Sequence, residues 1–236
     1  MLLLAIAVAP VLLLNRRITV HRRLAWTAVA VLAALVPIAP WTIHNSVRFE
    51  TPVALSTNLG LTLHAGNCSA TTYRGELMGF YDGNCSIAFY MRKLTNLDEA
   101  QSDIELRRAA FDNMRDNIDR LPATVLARYG RTLAVFRPTQ TVGFTAAWAG
   151  GATWPVWAWV TAFWVVAPLA AYGSVLLRRS GTFQWPLVAP LLIALLVVTV
   201  AYGEPRYHTS ADLGLVVLAA VGLDRLARRD GRQPTS

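Results

Sequence analysis

The feature that most constrains the fold is the grouping of apolar residues into long runs. Five stretches carry few or no charges, and such runs are typical of membrane-spanning helices when they reach about 18 residues. They are Met1–Leu14, Leu24–Trp41, Trp154–Leu177, Pro186–Tyr202 and Leu213–Leu226. Only 15% of the residues are charged, against about 25% in ordinary soluble domains. The sequence therefore predicts an all-α integral membrane protein with about five transmembrane helices.

The excess positive charge lies on alternate connections between these runs. Asn15–Arg23, Arg178–Gly181 and Asp224–Ser236 together hold ten arginines and two aspartates, a net charge of +8. The rest of the chain is balanced. The positive-inside rule places those three segments in the cytoplasm. It places residues 42–153 and the Tyr202–Asp212 turn on the extracytoplasmic side of a plasma membrane. This distribution disfavours nucleic-acid binding.

These observations predict four regions. Residues 1–41 form two membrane segments with a basic cytoplasmic connection, and residues 42–153 form a long extracytoplasmic loop domain between the second and third spans. Residues 154–227 form three transmembrane helices, and residues 228–236 form a cytoplasmic tail. Met1–Leu14 is short and has no basic residues before it, so it is either a short anchor or the end of a truncated span. We expect the second, with further helices before residue 1.

The long loop is predicted to be mainly helical. Thr51–Leu63 is rich in β-branched and small polar residues and suggests extended or irregular backbone. A helix follows Asn96, and its buried face is predicted from helical spacing: Ile104, Ala109 or Phe111, Met114 and Ile118. A second helix over Ala123–Phe136 has its apolar side predicted at Leu126, Tyr129, Leu133 and Phe136, with Arg128 and Arg131 elsewhere. Such a helix suits the membrane interface, although an ordinary helix hairpin is the alternative.

The only two cysteines, Cys68 and Cys85, both fall in this loop. An even pair on an oxidising face predicts a disulfide, and two free thiols are the alternative. A structural zinc site requires about four ligands, and only His64 lies near the pair. We therefore expect no cofactor, although a divalent cation is possible.

The second outer turn contains Glu204, Arg206, Tyr207 and His208 between two apolar runs. Charged residues at a membrane surface indicate function when they face the protein interior. The planar guanidinium of arginine also binds phosphate well. The alternative is a solvated tight turn in which Arg206 pairs with Glu204.

Several phrases resemble polyprenyl-phosphate-sugar-dependent glycosyltransferases of the GT-C superfamily, which are related to protein O-mannosyltransferases and aminoarabinose transferases. The first set is Pro40-Trp41-Thr42-Ile43-His44-Asn45, Ser56-Thr57-Asn58 and Gly66-Asn67. The paired-cysteine stretch from Gly66 to Cys85 is similar to an insert in actinobacterial members. The stretch from Arg107 to Pro138 is similar to their extracytoplasmic helix pair. Pro205-Arg206-Tyr207 before the last run is similar to their closing hairpin.

The resemblance implies transfer of a sugar from a polyprenyl-phosphate donor to a cell-envelope glycan, lipid or protein. An acidic residue in the first extracytoplasmic loop acts as general base in that family, and this chain has no such loop before Trp41. We therefore expect a C-terminal portion that is inactive alone, and no catalytic residue is nominated. Glu50, Glu76 and Asp82 match no catalytic motif. The residues expected near the lipid phosphate are Arg206, Tyr207 and Glu204, with Arg131 and Arg137 as further candidates.

Two other hypotheses about the function remain. The chain could be a non-catalytic membrane protein that exports a disulfide-stapled interaction domain, which needs no missing part. A transporter is the third reading, but the apolar runs contain almost no ionisable residues to form a site within the membrane.

Overall fold

The computed structural model describes residues 9–13, 19–49, 51–53, 55–68 and 70–230, and within them the chain is helical without any β-strand. The predicted all-α class is confirmed. Eleven α-helices are bounded in these residues: α1 Val20–Leu35, α2 Ala39–Arg48, α3 Leu59–Asn67, α4 Ala70–Arg74, α5 Gly83–Lys93, α6 Glu99–Asp116, α7 Leu121–Thr132, α8 Pro138–Trp148, α9 Trp154–Arg179, α10 Trp185–Val200 and α11 Asp212–Asp230. A 3₁₀ helix, Pro205–Ala211, lies between α10 and α11.

Some predicted features fall outside the described residues. These are Glu50, most of the Met1–Leu14 run, residues 15–18 of the first basic connection, and residues 231–236 of the C-terminal tail.

Pro37 and Pro40, at the end of the Leu24–Trp41 run, predict that the helix breaks near the outer interface. The break is present, but the helix resumes after it. Helix α1 ends at Leu35, and α2 begins at Ala39 with Pro40 in its first turn, a position that tolerates the missing N–H of proline. The two helices are bent by 45° relative to each other. Helix α2 continues to Arg48 and so passes the boundary that was predicted after Trp41.

Thr51–Leu63 is only partly irregular. Helix α3 begins at Leu59 without a side-chain cap from Asn58, so its first N–H groups need partners from elsewhere. Asp103 of α6 supplies one, because its carboxylate accepts a short hydrogen bond from the backbone N–H of Gly60. A negative charge is also favourable at a helix N-terminus.

This contact explains why the face predicted for α6 is only partly buried. Ile104, Ala109 and Met114 are half-buried, whereas Phe111 and Ile118 are 52% and 68% exposed. The face that packs on α3 is instead Ala100, Asp103, Leu106 and Ala110. A Cβ on Gly60 would lie 2.2 Å from the carbonyl oxygen of Asp103. The two backbones approach so closely that small and polar residues occupy the interface.

Helices α9 and α11 pack against each other through small residues. Ala170 and Ala219 are buried between them. A Cβ on Gly173 would lie 1.9 Å from the carbonyl oxygen of Leu218, and one on Gly222 would lie 2.5 Å from that of Leu169. Close approach at glycine is typical of helix pairs within membranes.

One described helix, α9, is long and apolar enough to cross a membrane, and α1 with α2 meets the same requirement only as a bent pair. Helix α10 is apolar but has 16 residues, slightly fewer than the roughly 17–25 of a typical span. The described part of the chain thus contains one or two candidate spans by length and composition.

Candidate functional site

The turn after α10, residues Tyr202–Asp212, is called the Arg206 turn below. It packs against the long segment that contains α3 to α8. The backbone N–H of Gly203 donates a hydrogen bond of 2.8 Å to the carbonyl of Gly79. A Cβ on Gly203 would lie 2.1 Å from the carbonyl oxygen of Arg128, so no larger residue fits there without movement. The two regions that the sequence predicts on the same side of a membrane are therefore in direct contact.

The structure brings Glu204, Arg206 and Tyr207 together in this turn. The Glu204 side chain is only 3% exposed and the Arg206 side chain is 58% exposed, with 2.7 Å between Arg206 Nε and Glu204 Oε2. This contact is an ion pair without the alignment of a hydrogen bond, because Glu204 Oε2 has no hydrogen-bond partner among the described residues. Burial raises the pKa of the Glu204 carboxyl, and the charge of Arg206 only partly opposes that effect.

Aromatic rings surround the pair. The hydroxyl of Tyr202 accepts a hydrogen bond of 2.9 Å from Arg206 Nη2, and the Arg206 guanidinium carbon lies 5.8 Å from the centre of the Tyr207 ring. Tyr81 lies 4.9 Å from Tyr202, and Trp148 lies 6.4 Å from Tyr81, between ring centres. Burial raises the pKa of Tyr81 to about 12 and also raises that of Tyr207. Both phenols are therefore protonated donors at neutral pH.

Arg131 and Arg137 hold the Gly75–Met78 backbone and do not join the Arg206 turn directly. Arg131 is fully buried and donates to the carbonyls of Met78 and Glu76, to Gln140 and to Thr141. Arg137 donates to the carbonyls of Gly75 and Glu76. Burial, and secondarily the charge of Arg137, lowers the pKa of Arg131 to about 10. Arg131 thus remains charged at neutral pH, and both arginines hold this backbone segment in place.

Arg131 is nevertheless linked to the turn through one ring. Its guanidinium carbon lies 5.3 Å from the centre of the Phe80 ring, and Phe80 contacts Tyr202 edge-on at 6.5 Å. Phe80 also stacks on Phe144 at 4.9 Å. The rings of Phe80 and Tyr202 thus lie between the buried Arg131 and the exposed Arg206.

Arg128, which the sequence did not single out, is the centre of the contact between α7, α3 and α10. It is 0% exposed and donates to the Thr199 carbonyl at 2.6 Å, to the Gly66 carbonyl at 3.1 Å and to Asn67 Oδ1 at 2.6 Å. Burial lowers the pKa of Arg128 to about 10. In the sequence, the four-residue spacing of Thr124, Arg128 and Thr132 is the feature that could have indicated this role, because it predicts a polar stripe on α7.

The predicted disulfide between Cys68 and Cys85 is present, and it joins the end of α3 to the first turn of α5. Asp82 caps α5 by accepting a hydrogen bond of 3.0 Å from the backbone N–H of Cys85. His64 is buried beside the disulfide and its Nδ1 lies 2.9 Å from Ser86 Oγ. Burial lowers the pKa of His64 to about 4, so this ring is neutral at pH 7.

His208 connects the turn to the apolar helices. Its ring stacks on Phe163 of α9 at 4.2 Å and lies 5.0 Å from Trp159. Its Nδ1 lies 3.0 Å from Asp212 Oδ1. The described residues include no group of three or more His, Cys, Asp and Glu side chains arranged to hold a metal ion.

Comparisons of the chain with protein-family models, with curated proteins and with solved structures found no match.

Proposed function

We propose that this chain is part of a multi-pass membrane glycosyltransferase of the plasma membrane. It binds a polyprenyl-phosphate sugar, and the sugar passes to a cell-envelope glycan, lipid or protein outside the cytoplasm. The observation that carries the proposal is the exposed Arg206 guanidinium in the turn after an apolar helix, a turn that contacts the lining of an apolar groove through His208 and Phe163.

Lipid contact is supported by the apolar surface of the last three helices. Only 17% of the most apolar stretch of α9 is buried, whereas the core helix of a soluble protein is mostly buried. Large apolar side chains are exposed along the helices: Val165, Val175, Leu192, Leu196, Leu213, Val216 and Leu223. A soluble monomer rarely exposes so extensive an apolar surface. Helix α9 therefore suits a bilayer by length and by surface. Helices α10 and α11 also expose apolar surface, although neither alone has the length and hydropathy of a span.

The apolar groove suits an isoprenoid chain. It has a volume of about 750 Å³, and almost all of its lining is apolar, from α9, α10, α11 and the segment after α7: Leu133, Val135, Pro138, Phe163, Trp164, Ala167, Val188, Leu191, Leu215 and Leu218. Phe163 lines the groove and also stacks on His208. His208 is two residues from Arg206, so a lipid in this groove can place its phosphate near the turn.

Arg206 is suited to the phosphate. Its guanidinium has five N–H donors, and its contacts with Glu204 and Tyr202 leave donors available. In the proposed transfer, the acceptor oxygen forms a bond to the anomeric carbon while the bond from that carbon to the phosphate oxygen breaks. The acceptor proton passes to a carboxylate base, and polyprenyl phosphate leaves with increased negative charge. A nearby cation stabilises that charge. No residue of this chain is assigned as the base.

The proposal is tested by lipid binding to the full chain in nanodiscs. We expect a polyprenyl phosphate to bind more tightly than the corresponding polyprenol, which lacks the phosphate. Arg206→Gln combined with Glu204→Gln, which leaves no unpaired buried carboxylate, should weaken phosphate binding by about tenfold or more, as loss of a charge-assisted contact predicts. The matched control is Arg120→Gln, another exposed arginine beside a carboxylate. Equal binding of lipid phosphate by both variants would contradict the proposal.

One observation favours a second function, a non-catalytic membrane protein with an exported interaction domain. Ile87, Tyr90 and Met91 lie on one face of α5 and are 62%, 42% and 65% exposed. The disulfide holds this helix against α3. Under this alternative, the chain binds polyprenyl phosphate no more tightly than polyprenol.

A further inference from the structure

A polar groove between α5 and α6 lies apart from the Arg206 turn. Two adjoining cavities of about 430 Å³ and 520 Å³ form it, and both are lined by Phe89, Lys93, Ala109 and Asp112. Each volume is within the range of small-molecule sites, roughly 300–1,000 Å³. The inner cavity ends at His64 and the Cys68–Cys85 disulfide. The disulfide fixes the α5 wall, and a capping box formed by Asp98 and Gln101 fixes the start of α6.

The unpaired charge of this groove is positive. Arg92 and Lys93 line it and are exposed, and neither forms an ion pair with a described carboxylate. The other charged lining residues are already paired, with 2.7 Å between Arg108 and Glu105 and 3.8 Å between Arg115 and Asp112. A carboxylate or phosphate is therefore the group that the free donors attract, since charged hydrogen bonds are stronger than neutral ones.

The floor of the groove is suited to a sugar ring. The ring of Phe89 contacts the ring of His64, with 4.7 Å between ring centres, and the exposed Lys93 side chain places its ammonium 5.1 Å from the Phe89 ring centre. A pyranose has an apolar C–H face that packs on an aromatic ring, while its hydroxyl groups need both donors and acceptors. Asp112 and Asn113 supply both kinds of group along the α6 wall. The neutral His64 adds a polar inner end without adding charge.

We propose that the α5–α6 groove binds a saccharide that carries an acidic group, with the sugar ring on Phe89 and the acidic group on Arg92 and Lys93. A lipid chain is a poor fit, because charged and amide side chains line much of the surface. This site does not depend on the glycosyltransferase proposal. If the chain is part of a glycosyltransferase, the groove binds the sugar acceptor. If it is not, the groove binds a cell-envelope glycan.

The test is binding of four probes to the full chain in nanodiscs, measured by titration calorimetry or saturation-transfer NMR. The probes are a glucuronate-containing disaccharide, glucose 6-phosphate, the neutral disaccharide cellobiose and inorganic phosphate. We expect at least one acidic sugar to bind about tenfold more tightly than cellobiose and inorganic phosphate. The tighter of the two acidic sugars identifies a carboxylate or a phosphate as the natural group.

Variants test whether Arg92 and Lys93 form this site. The Arg92→Gln, Lys93→Gln double variant should weaken binding of the acidic sugar by about tenfold, while Arg120→Gln should not change it. Both substituted side chains are exposed, so an unchanged melting temperature confirms folding. The proposal fails if neither acidic sugar binds at millimolar concentration, or if the double variant binds it as well as the wild type. Inorganic phosphate that binds as tightly as the better of the two acidic sugars would also overturn it, because the sugar would then contribute nothing.

Discussion

At the scale of single residues, the fold depends on charged groups whose partners are neutral. Arg128 donates to Gly66 and Thr199, whose carbonyls lie in the last turns of α3 and α10. The C-terminal end of each helix carries a partial negative charge. Two helix ends together thus compensate a buried guanidinium that is paired with no described carboxylate.

Replacing Arg128 should therefore be strongly destabilising. Arg128→Leu leaves the Gly66 and Thr199 carbonyls and the Asn67 side chain with fewer donors in a buried site, at a cost of about 1–3 kcal/mol for each unsatisfied group. Arg120→Leu, at an exposed position on the preceding turn, should change stability by about 0.5 kcal/mol or less. Thermal unfolding in detergent micelles measures both variants. Similar melting temperatures for the two variants would mean that the Arg128 contacts contribute little.

His64 should make stability dependent on pH. Its pKa is about 4 in the folded chain and about 6.5 when exposed, so the unfolded chain binds the proton first as pH falls. The stability contribution is complete above pH 6.5 and is lost as pH decreases towards 4, to a total of about 3 kcal/mol. His64→Gln should lack this loss. The measurement is the difference in melting temperature between wild type and variant from pH 7 to pH 4, and a constant difference would contradict the assigned burial.

At the scale of elements, close backbone approach decides which helices pack and through which faces. Gly173 allows α9 to approach Leu218 of α11, and Gly60 allows α3 to approach Asp103 of α6. Larger side chains are excluded at these two glycines. The close approach also brings the neighbouring large side chains into contact, such as Leu218 of α11 against Val166 and Leu169 of α9.

The same substitution at two glycines should therefore have opposite effects. Gly173→Ala places a methyl group 1.9 Å from a backbone oxygen and should destabilise the chain by about 1–3 kcal/mol through overpacking. Gly143→Ala in α8 has open space around the new methyl group and should be neutral or stabilising by up to about 1 kcal/mol, since alanine favours helices. Melting temperatures of the two variants provide the comparison, and equal changes would count against close α9–α11 packing.

The contacts also explain what the sequence could predict. Apolar runs and proline positions predicted the helical class and the break between α1 and α2, and the cysteine pair predicted the disulfide. Helical periodicity identified the two sides of α7 but not which side faces the protein. Leu126 is 70% exposed, whereas Arg128 and Arg131 are buried and bind backbone carbonyls. Glu204, Arg206 and Tyr207 are adjacent in sequence, so their proximity was predictable, but the contributions of Tyr81 and Tyr202 required the fold.

At the scale of the whole molecule, the described structure has a polar region and an apolar region that meet at one turn. Helices α3 to α8 contain the disulfide, the buried arginines and the α5–α6 groove. Helices α9 to α11 expose apolar surface and form the apolar groove. The Arg206 turn contacts both regions, through Gly79 on one side and through His208 and Phe163 on the other. A lipid-linked sugar requires this combination, because its tail is apolar and its head group is charged and polar.

The proposed function requires that the Arg206 turn and the connection between α9 and α10 lie on opposite sides of a membrane. The two native cysteines form a disulfide, so a single introduced cysteine reports its own position. Ser210 and Ser180 are both exposed and lie at opposite ends of α10. A membrane-impermeant maleimide applied to intact cells should label Ser210→Cys and leave Ser180→Cys unlabelled until the membrane is opened. Labelling of both variants in intact cells, or of Ser180→Cys alone, would contradict the proposed arrangement.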